Sequence, residues 1–497
     1  MSESTHRVLP QQLPAHPLIH EVNTVPWLAA LSSSAGRRLD LGSVPGEAWD
    51  ALAGYDAVWL MGVWQRSPAG VAIALANPSL TASFEAALPG YAPSDVVGSP
   101  YCIRDYVVDD TLGGPAGLAV ARQELAARGV ALVLDFVPNH VAPDHPWVSE
   151  HPERLVTGTH ADLRDDPGAF VEMAGRVLAN GRDPYSGAWP DVVQLNAFAA
   201  DLREAHVATL REIADQCDGV RCDMAMLMMN QTFARTWGSR GGPVPATDYW
   251  PRLIGAVRET HPGFCFIAEA YWDLEWELQS QGFDHCYDKR LYDRLVHESP
   301  EAVRLHLTAD PGYQQGLLRF LENHDEPRAA AVLSPAQHRA VAVATLTQCG
   351  ARLVHDGQLD GRRIRLPVFL GRLPDEEADA ALAAFYASLL GALADPTFHS
   401  GTWQLCDRWG WPDDQRFEHV VAWCWEGATR WLVAVNLSDD AAAVMVGVPW
   451  TDLRGRRVNL VDPTNDVTYE RAGDDLVDGL FVELAPWAWH LLRVDVD

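Results

Sequence analysis

Three things are scarce in this chain of 497 residues, and each scarcity excludes a class of function. No apolar run is long enough to cross a bilayer, so a membrane-spanning protein is not expected. The N-terminal stretch "MSESTHRVLPQQLPAHP" is polar, broken by proline and without the apolar centre of a secretion signal, which makes the cytoplasm the expected compartment. The eight cysteines form no paired CxxC, and several lie in strand-like runs, so reduced thiols in a packed interior are expected. Positive charge is short. Against 67 Asp and Glu stand 38 Lys and Arg, scattered along the chain, for a formal net charge of −29. A surface for nucleic acid or an anionic membrane needs clustered cations, so neither partner is expected. Solenoid repeats and low-complexity linkers are absent too. What remains, 48% hydrophobic and 21% charged residues, is ordinary for a soluble globular protein.

What the chain does have is a recurring pattern. Eight apolar, strand-sized runs begin at Leu18, Tyr55, Gly129, Gly219, Phe264, Phe283, Leu317 and Ala351. Between most of them lie helix-like stretches, such as 117–129 and 201–217, with apolar residues at three-to-four spacing. Unbroken apolar strands alternating with helices suggest parallel strands buried on both faces, and eight of them predict a closed (β/α)8 barrel of the α/β class over an open sheet. The runs end in polar or chargeable residues: Asn23, Gln65, Asn139 and His140, Arg221 and Asp223, Glu269, Asp288, His324 and Asp325, and Gln358. Barrels of this kind gather those ends in one mouth. Two segments break the alternation. Residues 141–196, rich in Pro, Gly, Asp and Trp, read as an irregular loop insertion after the third strand, forming a lid or wall. From 405 onward short runs separated by turn residues predict an antiparallel β-sandwich. The expected domains are 1–404, a catalytic barrel that includes the insertion, and 405–497.

Within "GVRCDMAM", strand alternation puts Arg221 and Asp223 on one face. A buried structural ion pair is the plain explanation. Two further acids at run ends, Glu269 and Asp325, favour another. Cleavage of a sugar acetal needs one ionised carboxylate to attack the anomeric carbon and one protonated carboxyl to help the leaving oxygen depart. Arg221 favours an anion at Asp223, and apolar, aromatic walls around Glu269 would suit a proton donor. Asp325 is placed to grip sugar hydroxyls and to counter positive charge. His140, His145 and His151 lie in a proline-rich segment at spacings that do not suit zinc. In 357–367 the arginines 362, 363 and 365 would suit phosphate or a solvated connection with acidic partners. Trp189, in "NGRDPYSGAWP", fits either a sugar-stacking lid or packing of the loop.

Four segments in order, "DFVPNH", "GVRCDMAM", "FIAEAYWD" and "FLENHDEP", resemble the four short motifs of the α-amylase family of glycosidases, glycoside hydrolase family 13. "VVQLN" (192–196) is similar to that family's minor motif. The resemblance implies Asp223 as nucleophile, Glu269 as acid/base and Asp325 as transition-state stabiliser. It implies Arg221, His324, Asp135, Asn139 and His140 as their neighbours, with Tyr101 and Tyr106 in "SPYCIRDY" and Arg328 beyond the fourth motif as substrate contacts. Cys102 stands where family α-glucosidases often carry an aspartate, which departs from a simple exo-acting glucosidase. Met226 and Leu227 stand where calcium-dependent members usually carry Lys and His, so no cofactor, calcium included, is expected. The implied function is a retaining α-glycosidase acting on α-linked glucosides. A transglycosidase, a phosphate-using glucosyl or maltosyl transferase and a catalytically silent sugar-binding barrel are the alternatives, and oligomeric state is left open.

Overall fold

The computed structural model describes residues 11–496, so most of the polar N-terminal stretch lies outside it. Each of the eight apolar runs forms a strand: β1 (Leu18–Asn23), β2 (Ala57–Met61), β3 (Ala131–Phe136), β4 (Gly219–Cys222), β5 (Cys265–Ala268), β6 (His285–Tyr287), β7 (Leu317–Phe320) and β8 (Ala351–His355). They close a parallel barrel in which each strand lies beside its neighbours in sequence and the last returns to the first. Every residue of these strands is buried, because a parallel strand is covered on both faces, and this is why they read as unbroken apolar runs. The helices Gly114–Ala127 and Ala200–Ala214 fall where periodicity predicts them, burying Leu118, Ala121 and Leu125 in one and Leu202, His206, Leu210 and Ile213 in the other. At the start of β4 the lack of a side chain matters: a Cβ on Gly219 would lie 2.9 Å from both the Cβ and the carbonyl oxygen of Cys265 on β5. Among the described residues no helix is long and apolar enough to cross a membrane, and all eight cysteines are free and buried.

The chain divides into two compact units, one mainly His20–Tyr287 with Arg365–Asp375, the other mainly Asp288–Ile364 with Glu376–Asp497. The insertion in the first unit is more regular than its composition suggests. Strands His140–Val141, Trp189–Gln194, Arg176–Gly181 and Phe170–Met173 form a four-stranded sheet in that order. Its tightest turn has Ala174 and Gly175 both at positive φ, 48° and 74°, as a two-residue hairpin of matching twist requires. Short strands between Pro and Gly leave little periodicity to read.

The second unit carries the C-terminal strands β9 (Thr402–Leu405), β10 (Asp407–Trp409), β11 (Val420–Glu426), β12 (Arg430–Asn436), β13 (Ala442–Gly447), β14 (Arg457–Asp462), β15 (Val467–Ala472), β16 (Leu480–Leu484) and β17 (Trp489–Val496). Six make one sheet, β9-β11-β12-β17-β14-β15, and three make another, β10-β13-β16. Both sheets feed one core, including Val420, Leu432, Val444, Val446, Leu460, Leu480 and Leu492, so the antiparallel sandwich is present.

Asp288, one of the polar run ends, turns out to be structural. It accepts from His306 Nε2 at 2.9 Å, from Arg319 Nη1 at 2.6 Å and from the Leu291 amide at 3.0 Å, capping the helix Lys289–His297. Burial opposes its charge, but His306 and Arg319 outweigh that and hold the carboxyl down at about 2. A carboxyl depressed by folding stabilises the chain above its ordinary value near 3.8, and that contribution is lost as pH falls toward 2. Urea midpoints should therefore drop between pH 4 and pH 2, and the drop should be smaller in Asp288→Asn by roughly 2 kcal/mol, the share of this carboxyl.

Candidate active site

Arg221, within β4, is 1% exposed, and its guanidinium organises the site in the first unit. Nη1 donates to Asp223 Oδ1 at 2.8 Å, and Nη2 lies 2.8 Å from Glu269 Oε2. Nε donates to the Tyr287 hydroxyl at 3.3 Å. Trp59, Tyr101 and Tyr287 surround the cation, its carbon 5.2, 5.1 and 5.6 Å from the ring centroids. Burial works against the charge, but Glu269, Tyr101, Tyr287 and Asp223 overcome it and hold the arginine well above its ordinary value.

The two acids sit immediately beyond their strands, Asp223 after β4 and Glu269 after β5. Asp223 N–H donates to Phe136 O on β3 at 2.8 Å, and Glu269 N–H donates to Cys222 O at 3.1 Å, which continues the ladder past the strand ends. Met224 follows at φ 43°, a left-handed bend uncommon outside glycine, and this bend aims its N–H at Glu269 Oε2, 2.6 Å away. The Tyr271 hydroxyl donates to Glu269 Oε1 at 3.1 Å. Glu269 thus faces an arginine, an amide and a phenol, where the sequence led to an expectation of apolar and aromatic walls. One cation thus faces two carboxylates.

The other candidates support this core. Asp135 accepts from Trp59 Nε1 at 3.0 Å and from the Gly62 amide at 2.8 Å, fixing the ring that faces Arg221. His140 Nε2 meets Tyr101 O at 3.2 Å, while Nδ1 meets Asn139 Nδ2 at 3.2 Å. Burial pushes this imidazole below its ordinary value, so it is neutral at pH 7. The Tyr106 hydroxyl donates to Val137 O at 3.1 Å and accepts from Val137 N–H at 2.8 Å, so it is spent on backbone; burial pushes it well above the usual phenol range. Trp59, Tyr287 and the Met224 amide escaped sequence reasoning, and Tyr271 was expected only as part of an aromatic wall, not as a hydrogen-bond donor. Tyr287 and Met224 lie beside run ends, whereas Trp59 sits within β2, where nothing in the sequence marked it.

In the second unit, His324 Nε2 lies 2.9 Å from Asp325 Oδ2, a carboxylate 47% exposed. Asn323 Oδ1 accepts from the amides of Asp325 and Glu326, both at 2.9 Å, and forms the turn that presents that acid. Arg328 is buried: Nη1 donates to Glu322 Oε1 at 2.6 Å and to Asp356 O at 2.8 Å, and meets His355 Nδ1 at 2.9 Å. It braces the loop that carries Asp325.

Asn139 Oδ1 accepts from Gln194 Nε2 at 2.9 Å. Among the described residues one group of three, His151, Glu153 and Asp201, comes within ligating reach; there His151 is tied to Glu153 and Asp201 to Arg154. His145 Nδ1 accepts from the Trp147 amide at 3.0 Å, and burial takes its imidazole down to about 4. Trp189 packs edge-on to His140. In 357–367, Arg363 donates to Ala330 O, whereas Arg362 Nη1 has no hydrogen-bond partner among the described residues.

No family model matches the chain. It is 25% identical over 287 residues to the α-amylase MalA of Haloarcula japonica, 54% of this chain and 36% of that protein. An α-1,4-glucan:maltose-1-phosphate maltosyltransferase of Burkholderia pseudomallei is 26% identical over 203 residues, 39% of this chain and 15% of that protein. The chain thus spans well under half the length of these curated relatives. In structure it is similar to the maltogenic α-amylase AmyB of Thermotoga neapolitana, with a TM-score of 0.65, 20% identity and coverage of 96% of this chain and 98% of that one. An α-amylase of Lactobacillus plantarum gives 0.66 at 20% identity, covering 96% and 99%. By sequence and by fold, then, this chain resembles the α-amylase family of glycosidases.

Proposed function

We propose that the chain is a retaining α-glycosidase that cleaves α-glucosidic bonds of gluco-oligosaccharides or glucans through a glycosyl ester on Asp223. The observation that carries this reading is the single buried guanidinium of Arg221 held between Asp223 and Glu269, at the ends of adjacent barrel strands. In the first step an Asp223 oxygen bonds to the anomeric carbon, the bond to the leaving oxygen breaks, and Glu269 gives that oxygen its proton. In the second, Glu269 takes a proton from water as the water oxygen attacks the anomeric carbon, and the Asp223 carboxylate is released. Asp325 is assigned to sugar hydroxyls and developing positive charge, supported by its exposed carboxylate beside His324 and its place beyond β7. No step requires a metal.

A second reading keeps the ester and changes the acceptor to a sugar or phosphate. It is favoured by the maltosyltransferases among the curated relatives. One experiment separates the two: incubation with α-1,1- to α-1,6-linked gluco-oligosaccharides, with and without phosphate or EDTA, following products by NMR. Hydrolysis releasing the α-anomer first, unchanged by EDTA or phosphate, is expected. A sugar phosphate or lengthened oligosaccharides would establish the second reading. Release of the β-anomer would overturn both, and no turnover on any linkage would leave a silent sugar-binding barrel.

A further inference from the structure

Alternation gives the sheet β10-β13-β16 one face toward the sandwich core, where Val444, Val446, Leu480 and Val482 are buried, and one face outward. An outward face is ordinarily polar. Here a row runs straight across it: Trp409 pairs with Met445, and Met445 pairs with Phe481. Trp409 is 40% exposed and Phe481 51%. Trp411, 45% exposed, stands edge-on to Phe481, ring centroids 5.9 Å apart and planes at 71°. The Trp409 ring lies across two glycines: a Cβ on Gly447 would come within 3.2 Å of it, and one on Gly479 would collide with it. The outward residues flanking the row are carboxylates, Asp407 opposite Gly447 and Glu483 opposite Ala443.

We infer that this row binds the non-reacting part of an α-glucan chain, its pyranose rings stacking on Trp409, Trp411 and Phe481 while hydroxyls donate to Asp407 and Glu483. The inference rests on the glucan reading of the active site. Flat rings rimmed by hydrogen-bond acceptors suit a ligand with an apolar ring face and a polar edge. Two strand spacings, roughly 9–10 Å, separate Trp409 from Phe481, which suits an extended, repeating ligand over a single small molecule. A formal net charge of −29 opposes both a polyanion and a second copy of the chain.

The test is retardation of the full chain in native gels containing amylopectin, in an Asp223→Asn background so that the polymer is not consumed. Retardation is expected; Trp409→Ala with Phe481→Ala should weaken it by roughly fivefold or more through lost ring contacts. Phe481→Tyr should preserve it. In the otherwise native chain the double variant should turn over maltotetraose unchanged, which also shows that it folds; Phe481→Ala alone, at a half-exposed position, serves if it does not. Retardation indifferent to both alanine variants, or no retardation of the parent, would overturn the inference. So would a parent dimer that the variants convert to monomer in sedimentation while retardation stays the same. Failure of the glycosidase reading would show separately, as absent turnover of maltotetraose by the native chain.

Discussion

Asp223→Asn is expected to lower turnover by about four orders of magnitude or more, the range seen when an attacking group is removed, while the chain stays folded. The amide is nearly the size of the carboxylate, and its oxygen can still accept from Arg221 Nη1, which stands 2.8 Å from Asp223 in the native chain. Glu269 remains beside the arginine, so no buried cation is stranded. What disappears is the negative oxygen able to bond the anomeric carbon. Steady-state rates alongside a thermal melt check this; near-native rates in a folded Asp223→Asn would remove the nucleophile assignment.

Arg221→Ala should act on stability as well as on rate. It leaves two carboxylates, 5% and 3% exposed, without their shared cation and opens a void among Trp59, Tyr101 and Tyr287. Breaking a buried pair from one side costs about 3–5 kcal/mol, so the urea midpoint should fall by a comparable amount, with activity abolished. Arg221→Lys separates the two effects. An ammonium restores charge, but it lacks the planar fork that donates to Asp223 while facing Glu269 and Tyr287. It should recover much of the stability and little of the rate. Full activity in Arg221→Lys would show that charge alone, not the bridge, matters.

The barrel was legible because eight parallel strands bury both faces and so stand out as unbroken apolar runs. The Arg221–Asp223 pairing was legible from the two-residue period alone. The environment of Glu269 was not. Its contacts come from a left-handed bend at Met224 and from the register of β4 on β5, and neither leaves a mark in composition. Asp288 and Tyr287 show the same limit. They are adjacent, so a shift of one residue decides which faces Arg221 and which turns to His306 and Arg319. The insertion's sheet was hidden by Pro and Gly, and β15 by its mostly exposed, polar residues.

The most direct measurement is mass spectrometry of the native chain after brief incubation with a mechanism-based fluoroglucoside. A glucosyl adduct on the peptide containing Asp223, absent from Asp223→Asn, is the predicted result. An adduct on another residue, or sustained turnover of α-glucosides with none on Asp223, would contradict it.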